Sequence, residues 1–229
     1  MRRLVPVALF AVAFAYCEAS VVVYLRTIVG VVEPWTDASV YDAAIGAIEF
    51  GREAATLALL AALGWACGRN APTRFGFALF AFGLWDILYY FWLKVLIGWP
   101  ASLLTPDILF LIPLPWWGPV VTPILIAVLL AAAGAAAIAL DERGRTVRLG
   151  PMDGLMMAAG VALMLWAFMA DAIAVLPASA EALSRVRPSG FSWGRYAAGL
   201  LLLGVGIARP LAAAAAPERA AHANTRTGS

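Results

Sequence analysis

Residues 75–97 read FGFALFAFGLWDILYYFWLKVLI, an apolar run in which Asp86 and Lys94 are the only charged side chains. A hydrocarbon core of about 30 Å takes roughly 20 helical residues to cross, so this run is long enough to span a bilayer. At about 1.5 Å per residue, Asp86 lies roughly 16 Å along it, close to the midplane. A charged, unpaired carboxylate there costs several kcal/mol, so it must be protonated, paired or wet.

The rest of the chain repeats the pattern. Of its 229 residues, 63% are hydrophobic and 13% charged, and the mean hydropathy is +0.87. A soluble domain carries roughly 45–50% apolar and about 25% charged residues, so a soluble fold is excluded. Six apolar stretches between charges fit the span length: Leu4–Leu25, Gly46–Cys67, Phe75–Ile97, Val120–Leu140, Met152–Leu176 and Gly194–Ala216. The first follows Arg2 and Arg3 as a signal peptide would, but it runs on to Leu25 without a small-residue cleavage site and reads as a span.

The predicted architecture is an all-α, polytopic bundle of six transmembrane helices in residues 1–216, with a disordered cytoplasmic tail over 217–229. With the N-terminus inside, the inner segments hold Arg2, Arg3, Arg69, Arg74, Arg143, Arg145, Arg148, Arg219 and Arg226. The outer loops hold fewer, chiefly Arg185 and Arg187, and the first is acidic with Glu33, Asp37 and Asp42. The positive-inside rule therefore predicts both termini in the cytoplasm. Lys94 is the only lysine among sixteen basic residues, a bias that fits GC-rich bacterial coding and hence an inner-membrane location.

Between the third and fourth spans, Pro100, Pro106, Pro113, Pro115 and Pro119 interrupt any single helix, with Trp99, Trp116 and Trp117 beside them. This Pro/Trp-rich stretch reads as an interfacial or re-entrant segment. Thr105, Pro106 and Asp107 resemble the cap, first-turn proline and first-turn acid of a short helix ending before Pro113. Cys17 and Cys67 read as buried thiols on different spans.

Depth counting places Glu18, Glu49, Glu53, Asp86 and Asp171, with Arg26, Arg52, Lys94 and Arg195, in the outer half of the bundle. Glu49, Arg52 and Glu53 fall at i, i+3 and i+4, as one helical stripe, with Thr56 a turn deeper. Asp86, Tyr89, Tyr90 and Lys94 form a second stripe at i, i+3, i+4 and i+8. The candidate polar pocket is Glu18, Glu49, Arg52, Glu53, Asp86, Tyr90 and Lys94, gathered in an outward-facing cavity between the first three spans. Two plainer accounts stand beside it. Glu49, Arg52, Glu53 and Lys94 can mark the interface, where charge is cheap, and Glu18 and Asp86 can pair with Arg52 to fix packing without chemistry. Asp171 and Arg195 read as boundary residues.

The only histidine, His222, lies in the tail, so imidazole metal sites and His-based triads are excluded. Met152, Met156, Met157, Met164 and Met169 cluster on the fifth span and read as packing residues rather than as Cu(I) ligands. Scattered basic residues argue against a nucleic-acid partner. What is left is carboxylate chemistry: binding of a hard cation through oxygen, or of a proton whose affinity burial and Arg52 set. The functions this permits are transport of a proton, cation or small polar solute, an enzyme acting on a lipid or amphipathic substrate from the periplasmic side, and a non-catalytic subunit. No cofactor or catalytic residue is assigned.

Overall fold

The structure, a computed structural model, describes residues 3–29, 43–177 and 190–216. Among the described residues are six long helices: α1 (Leu4–Val29), α2 (Ala43–Cys67), α3 (Ala71–Ile97), α4 (Val121–Glu142), α5 (Pro151–Ala174) and α6 (Trp193–Ala215). Between α3 and α4 lies a two-stranded antiparallel hairpin, β1 (Pro106–Phe110) and β2 (Trp116–Pro119). Five helices, all but α2, are long and apolar enough to cross a membrane. α2 matches them in length at 25 residues, but Glu49, Arg52 and Glu53 dilute its N-terminal half. The acidic first loop, Arg185 and Arg187, and the tail 217–229 lie outside the described residues.

Local sequence explains the helix ends. α3 begins four residues ahead of the apolar run because Asn70 and Thr73 close a capping box. The Asn70 Oδ1 accepts the Thr73 N–H at 3.0 Å and the Thr73 Oγ1 accepts the Asn70 N–H at 3.2 Å. Pro72 sits in the first turn, where a missing N–H is harmless. The helix stops at Gly98, whose φ of +71° is a left-handed conformation that suits glycine.

α3 is the centre of the assembly and packs against α1, α2 and α4. α6 packs against α5 and α4, while α1 and α2 flank α3 and scarcely touch each other. In lipid, helices associate through close packing rather than hydrophobic burial, so small residues mark the contacts. A Cβ on Gly83 would stand 2.8 Å from the Ala131 Cβ of α4, and one on Gly160 would stand 2.6 Å from the Gly199 carbonyl oxygen of α6. Neither site admits a larger side chain without separating the helices.

The α2–α3, α4–α5 and chain-terminal ends lie together on one face. The Asn70 Nδ2 donates to the Asp141 Oδ1 at 2.8 Å. Arg145 donates to the last carbonyls of α6, Ala214, Ala215 and Ala216, at 3.0, 2.6 and 2.7 Å. Arg209 of α6 pairs with Asp153 of α5 at 3.2 Å.

Two expectations are corrected here. Residues 106–110 form a strand, not a short helix. Pro106 pairs with Pro119, Asp107 with Gly118 and Ile108 with Trp117, and a register shift precedes the Phe110 pair with Trp116. Cross-strand bonding satisfies backbone groups that a proline-bounded single turn of helix would leave open, and the aromatic and β-branched residues favour it. The Val120 and Val121 N–H groups then donate to the Thr105 and Leu103 carbonyls at 3.0 and 2.8 Å, fastening the hairpin to the start of α4. Secondly, Cys17 is exposed and Cys67 only half-buried, and both are free thiols. α1 buries a stripe of Val7, Ala11, Ala15, Glu18 and Ala19, which turns Tyr16 and Cys17 to its open flank.

Candidate functional site

Two ionisable groups meet at the end of the bundle that carries the hairpin. The first joins α1 to α2. Glu18, Glu49 and Glu53 are all buried. The guanidinium of Arg52 donates to the Glu49 Oε2 through Nε and Nη2, each at 2.8 Å, and its Nη1 is ion-paired with Glu18. These charge-assisted bonds bridge two helices whose backbones stay apart. Glu53, one position along, does not take a place in the ion pair. Both of its carboxylate oxygens accept the backbone N–H of Leu111 in the hairpin loop, at 3.1 and 2.9 Å.

The second group lies between α3, the hairpin and α1. Asp86 and Tyr90 are one turn apart on α3 and share a face. The Tyr90 hydroxyl donates to the Asp107 Oδ2 at 3.2 Å, and both residues are buried. The Asp86 Oδ2 is sealed from solvent and has no hydrogen-bond partner, and its carboxyl and that of Asp107 act on each other electrostatically. Arg26, in the last turn of α1, lies over the Trp99 ring with its guanidinium carbon 4.2 Å from the centroid. Burial pushes the Asp107 carboxyl up to about 7, against the opposing pull of Arg26, the Tyr90 hydroxyl and the Ile108 amide. Tyr89 and Tyr90, in edge-to-face contact at 5.1 Å, connect the groups, since Tyr89 lies within electrostatic reach of Arg52.

The structure thus brings Glu18, Glu49 and Arg52 together, sets Glu53 beside them, and places Asp86 and Tyr90 in the neighbouring group. Lys94 joins neither group. Its Nζ donates to the Gly98 and Pro100 carbonyls at 2.9 and 2.8 Å, capping the C-terminus of α3 where a cation is favoured. Arg195 lies over Trp166 at 4.9 Å, in the other half of the bundle, as Asp171 of α5 does. Asp107 and Arg26 are the two members that sequence reasoning left out. Asp107 carries a helix-cap pattern, and only strand pairing turns it towards Tyr90. Arg26 carries no sequence signal for a partner, and only packing sets it over Trp99.

Beneath Asp86 the helices pack through Val7, Ala11, Ala15, Leu60, Phe77, Ala81 and Trp85, an apolar core. On α5, Met164 is buried in the α4–α6 core and Met157 packs against it. Among the described residues no group of three or more His, Cys, Asp or Glu side chains is arranged to hold a metal ion. No family model, curated protein or solved structure matches the chain.

Chemically, the described residues of this end hold an excess of acid. Among the described residues, Glu18, Glu49, Glu53, Asp86 and Asp107 have Arg26 and Arg52 as guanidinium neighbours, with Lys94 committed to carbonyls. Carboxylates in surplus inside a low-dielectric bundle hold protons or cations more readily than carboxylates in water do.

Proposed function

We propose that this chain is a six-span bacterial inner-membrane protein with both termini in the cytoplasm, and that its outward-facing ionisable site handles a proton, cation or small polar solute for transport. The observation that carries the reading is the surplus, among the described residues, of buried carboxylates over guanidinium groups. A group that alternates between charged and neutralised forms at bilayer depth is what coupled transport requires. In this reading α2 is the sixth span, its charged turn sheltered by Glu18, and the hairpin caps the periplasmic end. The orientation is supported by Arg3, Arg69, Arg74, Arg143, Arg145 and Arg148, which gather at the opposite end.

The test is purified protein in sealed vesicles under an imposed pH gradient, with a pH-sensitive dye inside and a panel of cations and small polar solutes outside. Flux above that of empty vesicles, reduced by Arg52→Gln, supports the reading. Absence of flux across the panel overturns it.

A second reading draws on the apolar core beneath Asp86. A site open to one face only suits a membrane-embedded enzyme using a carboxyl as acid or base on an amphipathic substrate. Turnover of a lipid without solute movement would favour it.

A further inference from the structure

We propose that the turn between α2 and α3 binds the phosphate of an anionic phospholipid, held between Arg74 and Arg3, with the acyl chains lying against Trp65 and Phe75. The inference rests on the membrane-spanning part of the reading above and is independent of transport. Arg74 is the last charged residue before the apolar run of α3, so in a chain that spans a bilayer it stands at the hydrocarbon boundary, the level of lipid headgroups. Its guanidinium carbon lies 3.7 Å from the centroid of the Trp65 ring, a stacking separation. A guanidinium engaged through its face keeps its N–H edge for a partner in its own plane, and that fork matches a phosphate. The Arg74 Nε is sealed from solvent and has no hydrogen-bond partner.

Arg3 reaches the same turn from the start of α1. Its Nη1 donates to the Cys67 carbonyl at 3.5 Å, a long bond that a charged phosphate oxygen outcompetes. The Arg74 side chain runs beside Gly68, where an added Cβ would meet its Cγ at 2.6 Å. Guanidinium groups from α1 and α3 therefore flank residues 67 and 68. The acids of this face have other engagements: Asp141 accepts from the Asn70 amide at 2.8 Å, Glu142 has a partner, and Asp153 holds Arg209. A lipid suits the place better than a dissolved anion, because Trp65 is 67% and Phe75 70% exposed beside the two cations. Acyl chains cover that aromatic surface, and a free phosphate does not. α1 and α2 scarcely touch, so a phosphate held by both arginines ties α1 to this turn, as the Glu18–Arg52 pair ties the opposite end.

The experiment places the full chain in phosphatidylcholine vesicles doped with phosphatidylglycerol whose acyl chains carry bromine, a contact quencher of tryptophan. Quenching at Trp65 is the part removed by Trp65→Phe, taken for each chain against its own Trp65→Phe counterpart. Brominated phosphatidylcholine at the same mole fraction is the neutral reference. The inference expects a preference for phosphatidylglycerol of about tenfold or more, since each basic residue near an anionic surface is worth roughly fivefold. Arg74→Gln and Arg3→Gln should each lower it about fivefold, and Arg148→Gln, exposed on the same face, should leave it in place. Gel filtration identifies folded variants, and because Arg3 is exposed, its substitution tests the site even if Arg74→Gln unfolds the chain. Equal quenching by the two lipids overturns the inference, as does a preference that survives both substitutions or falls as far in Arg148→Gln. Loss of the preference to millimolar inorganic phosphate at constant ionic strength assigns the site to a dissolved anion and overturns the lipid. Vesicle flux plays no part in the readout, so this inference and the transport reading fail separately.

Discussion

Glu53 on α2 and Leu111 in the hairpin loop are joined by a backbone N–H that both oxygens of the carboxylate accept, at 3.1 and 2.9 Å, across 58 residues of sequence. Glu53 is 6% exposed, so the bond has little competition from water and holds the tip of the hairpin over the charged turn of α2. Glu53→Ala should lower stability by about 1–3 kcal/mol, the cost of stranding a partly buried donor. Glu53→Gln, which keeps one acceptor oxygen, should lose less than half of that. Thermal unfolding in detergent, with protease cleavage in the 111–115 loop as a local readout, distinguishes the two.

Arg52 is the keystone between α1 and α2. Its removal leaves Glu18 and Glu49 facing each other with no cation between them. Arg52→Ala is expected to cost about 3–5 kcal/mol, the penalty typical of an orphaned buried charge. Neutralising Glu18 and Glu49 with glutamine in the same chain should recover much of it. A double-mutant cycle measured by chemical unfolding checks this, and additive effects would refute the coupling.

The pH dependence of stability follows from Asp107. Its carboxyl is raised from 3.8 to about 7 in the folded chain by burial. The folded state therefore binds that proton more tightly than the unfolded state does, so the contribution of Asp107 is most favourable below about pH 4 and declines as pH rises towards 7. Melting temperature should fall over that interval, and Asp107→Asn should flatten the slope. An unchanged slope in the variant would assign the effect to other groups.

Lys94 provides the opposite expectation. Because its Nζ caps α3 through Gly98 and Pro100, Lys94→Met should cost only about 0.3–1 kcal/mol and leave vesicle flux at the parent level. A collapse of flux would return Lys94 to the site.

Helix contact is as testable as charge. Gly160→Val on α5 drives a side chain into the backbone of α6 at Gly199. Overpacking of this kind costs at least about 1–3 kcal/mol, and the α5–α6 pair should become accessible to cross-linking reagents that the parent excludes. Gly154→Ala, with nothing near its Cβ, is the control.

Much of this was legible in the residues alone. A bilayer demands about 20 apolar helical residues per crossing, so runs such as 75–97 and 152–176 announce helices whatever their neighbours are. The positions of Glu18, Arg52 and Asp86 along their helices follow from counting along those runs, because helical rise is constant. The 98–120 segment was not legible in this way. A strand finds its partner through bonds to a distant segment, and the proline and aspartate at 106 and 107 fit a helix cap equally well until Gly118 and Pro119 are known to lie opposite.

The sequence by itself determined a chain of long apolar helices with Glu18, Glu49, Arg52, Glu53 and Asp86 set along them at helical spacing, since apolar length and residue spacing are local properties that solvent transfer energies decide. Only the tertiary structure decided the partners: Arg52 for Glu18, the Leu111 amide for Glu53, Asp107 for Tyr90, and the α3 terminus for Lys94. Each of these pairings depends on which helices and strands stand side by side, and a charge of given depth binds whichever opposite group the packing brings within hydrogen-bond reach.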